Sequence, residues 1–212
     1  MATYLEKVLR LTGLVTVAES RYVAALAKAK ANGTVAPVRH KCFICYHGAD
    51  IDAVTTFVET YEDVFIPRVV GASDSDHFND PVDSKVEEYI KSQIREKYLW
   101  DSTVTILFLG KCTWSRKYID WEISSSLRND TKNKRNGLLA ITPADKSHNT
   151  LPSRLSDNYK QNKPTESYAR YSYYPTSAAI LRESIQDAFD ARDKRASLVV
   201  NSRALMRTNL SC

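Results

Sequence analysis

No apolar run in this 212-residue chain approaches the ~18–20 residues that a helix needs to cross a bilayer. The opening stretch, MATYLEKVLRLTG, lacks a continuous apolar core and a small-residue cleavage site, so a secretory signal is not expected and a cytoplasmic location is. Cysteine is scarce. Cys42, Cys45, Cys112 and Cys212 are too few for a disulfide scaffold of this size. Cys42 and Cys45 form a single CxxC inside HKCFICYH, which reads as a strand. Side chains three apart on a strand point to opposite faces, so one metal does not readily hold both, and two buried structural thiols are expected.

Several α/β signatures are missing as well. There is no GxxxxGK[ST], no GxSxG, and the turn after the first strand reads YHGADID instead of GxGxxG. A phosphoacceptor receiver domain needs an aspartate at the end of its third strand; here that strand ends FLGKC.

What is present is ordinary for a globular protein: 43% hydrophobic and 26% charged residues. Collagen-like, mucin-like and wholly disordered chains are excluded. The net charge of +5 is localised. Residues 1–41 carry Lys7, Arg10, Arg21, Lys28, Lys30, Arg39 and Lys41 against Glu6 and Glu19, while the remainder is balanced. A main domain built to wrap nucleic acid needs a basic face, so nucleic acid is not an expected partner.

The pattern along the chain changes near residue 40. Residues 3–31 are alanine-rich with helical spacing of Leu5, Val8, Leu9, Val15, Ala18 and Tyr22, and an interruption is expected near Gly13. Strands are predicted at 40–46, 64–70, 103–109 and 137–142, and helices at 50–63, from Asp80-Pro81 onward, at 113–128 and at 175–195. Pro67 marks the second strand as an edge or a bulge. The run TVTILFL is apolar on both faces, as in a central parallel strand. Residues 143–175 read as loop-rich and aromatic. Alternation of this kind predicts an α/β fold with a parallel sheet and helices on both faces, ligands binding at the carboxyl ends of the strands. Three parts are expected: a helical extension over 1–36, an α/β domain over 37–195, and a basic, loosely ordered tail over 196–212.

The informative stretch is TVTILFLGKCTWSRKYIDWEISSSL. At 100° per residue Ile119, Ile123 and Leu127 form a buried stripe, with Ser115, Glu122 and Ser126 along one flank. A carboxylate in that position either pairs with a structural partner or faces a pocket, and spacing alone leaves both open.

A hydrophobic strand followed by SRxYxxWEIxxSL resembles the third strand and following helix of TIR domains, most closely the TIR-like group of ThsB in the bacterial Thoeris antiphage system. CFICYHGADID is similar to the family's first strand and loop, the polar loop 71–80 to the segment bordering the pocket, and GLLAIT to the next strand. The resemblance covers roughly residues 40–190. It implies a flavodoxin-like TIR-type fold and an enzyme that consumes NAD+ as substrate, without a metal. Glu122 matches the family's catalytic glutamate. Tyr46, His47 and Gly48 would meet the nucleotide, Phe78 or Trp114 would stack on a base, Ser115 would bond the ribose, and Arg116 would contact phosphate. The bland alternatives are a strand end with a turn glycine, aromatic packing, and first-turn helix residues. Asp74, Asp76 and Asp80 read as loop solvation and capping. The resemblance further implies self-association into oligomers and a cyclic ADP-ribose-type product sensed by an effector protein. Two rivals remain: a non-catalytic TIR-like assembly module, and a nucleotide sensor whose basic helix contacts nucleic acid.

Overall fold

The computed structural model describes residues 2–36, 38–69, 99–131, 134–145 and 150–212. The helix expected from Asp80-Pro81 and the candidate stacking residue Phe78 lie outside these. The chain opens with α1 (Tyr4–Ala31). Thr3 caps it: its side chain accepts from the Glu6 backbone while Glu6 reaches back to the Thr3 N–H. The helix runs through Gly13 without a break. A glycine costs about 1 kcal/mol relative to alanine in a helix interior, and tertiary support outweighs it. Val8, Leu11 and Ala18 are buried, and ion pairs join Lys7 to Asp52, Arg10 to Glu59, Arg21 to Glu62 and Glu19 to Arg68. Lys7 and Arg10 are thus met by carboxylates of the following helix, and Arg21 by a carboxylate just beyond its end.

Then follow β1 (Lys41–Cys45), α2 (Ile51–Thr60), β2 (Ile66–Arg68), β3 (Val104–Phe108), α3 (Lys117–Leu127), β4 (Gly137–Ile141), α4 (Ser153–Asn158), β5 (Arg170–Ser172) and α5 (Ala178–Lys194). The strands form one parallel sheet in the order β2-β1-β3-β4-β5. Pro67 sits on the edge strand β2, where a missing N–H is tolerated. β3 is central and buried throughout, paired to β1 on one side and β4 on the other.

Two cores flank the sheet, divided by the strand alternation. Cys42, Ile44, Ile106 and Phe108 pack with α1, α2 and α5. Phe43, Cys45, Leu107 and Leu138 pack with Ile119, Trp121, Ile123 and Leu127 of α3. The two CxxC thiols thus occupy opposite faces, both buried and unbridged. No helix among the described residues is long and apolar enough to cross a membrane.

Two regions differ from the sequence reading. The stretch 143–175 contains α4 and a fifth strand, β5, whose three residues are too short to show a period. The tail is not loose. It runs back along α3 as a strap: the Val200 N–H donates to the Asn158 side chain at 2.9 Å, the Met206 N–H to Asp120 at 3.0 Å, and the Leu210 N–H to the Ser115 carbonyl at 2.9 Å. The Trp121 indole donates to the Met206 carbonyl at 2.9 Å. Cys212 ends the strap in a disulfide with Cys112.

Candidate functional site

In the strand order 2-1-3-4-5 the chain leaves β1 toward one edge and returns at β3 to build toward the other. The crevice at their carboxyl ends is the topological switch point, where open α/β sheets bind ligands. Three segments converge there: the loop after β1 (Tyr46, His47, Gly48), the loop after β3 (Leu109, Gly110), and the inner face of α3. The two loops touch. A Cβ built on Gly110 would lie 1.9 Å from a carboxylate oxygen of Asp50, so any side chain at 110 requires the Asp50 carboxylate to move.

Glu122 is carried into this corner by the stripe that seats α3. Ile119, Ile123 and Leu127 are buried against the sheet, and Glu122, between them in sequence, is only 8% exposed. Loss of water pushes its carboxyl up to about 7, against a weaker opposing pull from a hydrogen bond with the Cys45 thiol. Cys45 closes β1 and is fully buried. Burial raises its thiol well above the ordinary range, and the Glu122 charge and hydrogen bond add to that. Tyr46, next in sequence, is raised by burial and then by the nearby Tyr4 and Glu122. The imidazole of His47 is lowered by burial first and by the Arg116 cation second. The Nε of Arg116 is buried with no hydrogen-bond partner.

The expected site residues therefore divide. Tyr46 lies within electrostatic reach of Glu122, and His47 of Arg116, all around the β1 and β3 loops. Ser115 is fully buried, and its hydroxyl donates to the Cys112 carbonyl at 2.8 Å. Trp114 lines a different, open cleft of about 690 Å³ with Asp120, Asp157, Arg203, Met206 and Leu210, in which Glu122 takes no part. On α3, Asp120 and Glu122 are 200° apart, so that cleft is on the strap side of the helix. Phe78 lies outside the described residues. Among the described residues no group of three or more His, Cys, Asp or Glu side chains is placed to hold a metal.

Asp120 has a structural task. Arg154, fully buried, donates to it through Nε at 2.8 Å and Nη2 at 3.2 Å, and also to the Asn201 side chain and the Arg203 carbonyl. The DWE triplet thus splits between two faces: Asp120 and Trp121 anchor the strap, and Glu122 faces the switch point.

A hydrophobic β1, a glutamate buried on the helix after β3, and their meeting at the switch point agree with one family. Residues 43–148 match the family described as Thoeris protein ThsB, TIR-like domain. The chain belongs to this family. The matched span begins within β1 and runs past β4, so it holds Cys45, Tyr46 and Glu122 and excludes α1, α4, α5 and the strap. No curated protein matches the chain. The TIR-like domain here is a module of the Thoeris defence type.

Two residues near the site were not among the candidate site residues of the sequence. Cys45 was visible as a buried thiol, and its strand parity, opposite to Cys42, could have placed it on the α3 side. Tyr4 had no such signal, since nothing local connects residue 4 to the loop at 46–48.

Proposed function

We propose that this protein cleaves the nicotinamide–ribose bond of NAD+, with Glu122 as the catalytic carboxylate. The observation that carries the reading is the Glu122 carboxyl, buried at the β1/β3 switch point and tuned to about 7 by loss of water. As the C–N bond breaks, its electron pair leaves with nicotinamide, which departs neutral and needs no strong acid. Positive charge develops on the ribose, as in glycoside cleavage. An ionised Glu122 in a water-poor corner stabilises that charge more than an exposed carboxylate would. It can then accept the proton released when a nucleophile adds to the ribose carbon. Water as nucleophile gives ADP-ribose; a ring nitrogen or hydroxyl of the same molecule gives a cyclic isomer. The cyclic product, sensed by an effector protein, fits the Thoeris-type family. Tyr46 and His47 line the approach, and Arg116, with its unpartnered Nε, suits a phosphate of the dinucleotide. Self-association of the TIR-like domain in the cytoplasm belongs to the same proposal.

The test is nicotinamide release by purified protein at high concentration, followed by chromatography with mass detection, beside Glu122→Gln. Release that is lost in the variant supports the enzyme, and the mass of the second product separates hydrolysis from cyclisation. No release from folded, assembled protein, with or without lysate of phage-infected cells, would leave an assembly module in which Glu122 is structural.

A further inference from the structure

Helix α1 precedes the matched family segment, yet its first turn reaches the switch point. The Tyr4 phenol stands over Gly48: a Cβ built on that glycine would meet the Tyr4 hydroxyl at 3.2 Å and two carbons of its ring at 3.4 and 3.5 Å. A Cβ at 48 would press on the ring, which would have to give by a few tenths of an ångström, so the bare backbone of the β1 loop and the phenol lie against each other. Tyr46, two residues before Gly48, is in electrostatic reach of both Tyr4 and Glu122.

The placement is held from both ends of the first turns. The capping box at Thr3 and Glu6 fixes where the helix begins. One turn on, Lys7 pairs with Asp52 at 2.5 Å, and Asp52 belongs to the first turn of α2, directly after the Gly48 loop. Val8 and Leu11 are buried in the core shared with α2. Despite these anchors the Tyr4 side chain itself is not buried; the residue is 49% exposed. A ring held on one side by a glycine loop and open on the other is a platform for a flat partner.

We infer that Tyr4 is a binding residue of the active site, forming a rim on which a heteroaromatic base of the dinucleotide substrate packs beside the Gly48 loop. The inference rests on the reading of Glu122 as the catalytic group of an NAD+-cleaving enzyme. A stacking contact made equally in the bound ground state and in the transition state lowers KM and leaves kcat largely alone. Loss of a base–aromatic contact is expected to weaken binding ~tenfold.

The experiment is steady-state nicotinamide release by full-length wild type, Tyr4→Ala, Tyr4→Phe, Arg21→Ala and Glu122→Gln, with thermal melts of each. Arg21→Ala loosens α1 at its far end, at the Glu62 ion pair, without touching the rim. The expected result is a KM raised ~tenfold in Tyr4→Ala with kcat changed less than about threefold, a smaller rise in KM in Tyr4→Phe, which keeps the ring, and near-wild-type kinetics in Arg21→Ala. Unchanged kinetics in a folded Tyr4→Ala would overturn the inference alone, provided Glu122→Gln is dead. A lower KM in Tyr4→Ala would also overturn it, marking the ring as an obstruction. Equal losses in Tyr4→Ala and Arg21→Ala would reduce Tyr4 to a helix anchor. No release by wild type, or full release by Glu122→Gln, would overturn the parent reading and this inference with it.

Discussion

The Cys45 thiol at the end of β1 and the Glu122 carboxyl on α3 face each other at the switch point of the sheet, and each shifts the other's proton affinity. They are 77 positions apart in sequence and meet because β1 and α3 share one core face. That pairing sets the first two predictions.

Burial keeps Glu122 protonated in the fold up to about pH 7, whereas in the unfolded chain it ionises near 4.5. The unfolded state therefore loses its proton first, and the contribution to stability, complete below pH 4.5, falls away as pH rises toward 7. Glu122→Gln has no such penalty. It is expected to match wild type at pH 4.5 and to exceed it at pH 8 by up to about 3 kcal/mol. Urea unfolding at the two pH values measures this; a variant less stable than wild type at pH 8 would contradict it.

The thiol favours the ionised carboxyl, so Cys45→Ala should push the Glu122 carboxyl further up. If activity depends on ionised Glu122, the acidic limb of the pH–rate profile moves to higher pH in Cys45→Ala and returns toward wild type in Cys45→Ser, which restores a donor. A buried cysteine-to-alanine change is expected to cost about 1 kcal/mol of stability, from the small cavity it leaves. The shifted profile is thus separable from simple unfolding.

Arg154 and Asp120 are a buried, doubly bonded pair, 0% and 4% exposed at their side chains. Arg154→Met leaves the Asp120 charge without its guanidinium and removes the donor to the Arg203 carbonyl. The expected loss is about 3–5 kcal/mol. Asp120→Asn combined with Arg154→Met should recover part of it, because no charge is then left buried. Denaturant midpoints for the single and double variants measure the pair directly.

The Cys112–Cys212 bridge closes a segment of 100 residues and terminates the strap. Chain-entropy reasoning puts the contribution of such a closure at roughly 2–5 kcal/mol. Cys212→Ser should lower the unfolding free energy within that range and expose residues near 210 to proteolysis first, since Asp120, Arg154 and Trp121 still hold the strap further back. A tail that is no more protease-sensitive after the change would show that those bonds suffice.

The elements legible in the sequence were those with a period or a stop signal. The strand at 41–45, the buried β3 and the stripe Ile119, Ile123 and Leu127 follow from alternation and helical spacing, which depend on neighbours a few residues away. The same signals misjudged α1: Gly13 argued for a break, and burial of Val8, Leu11 and Ala18, with ion pairs to residues 41–49 positions distant, overrides it. Spacing put Glu122 at the edge of a buried face but left its role open between a paired structural group and a pocket carboxylate.

The sequence by itself determined the parallel α/β architecture, the TIR-like family and the glutamate to watch, because each is written in local pattern and in blocks of consecutive residues. Tertiary structure alone decided what surrounds that glutamate. It brought Cys45 to the carboxyl, set Tyr4 over Gly48, placed Trp114 in a cleft with the strap, and bound an unpatterned tail to α3. The physical reason is distance along the chain: these contacts join residues about 40 to 100 positions apart. They form where a strand end, a helix face and a terminal segment converge, and no periodicity in any one of them announces the others.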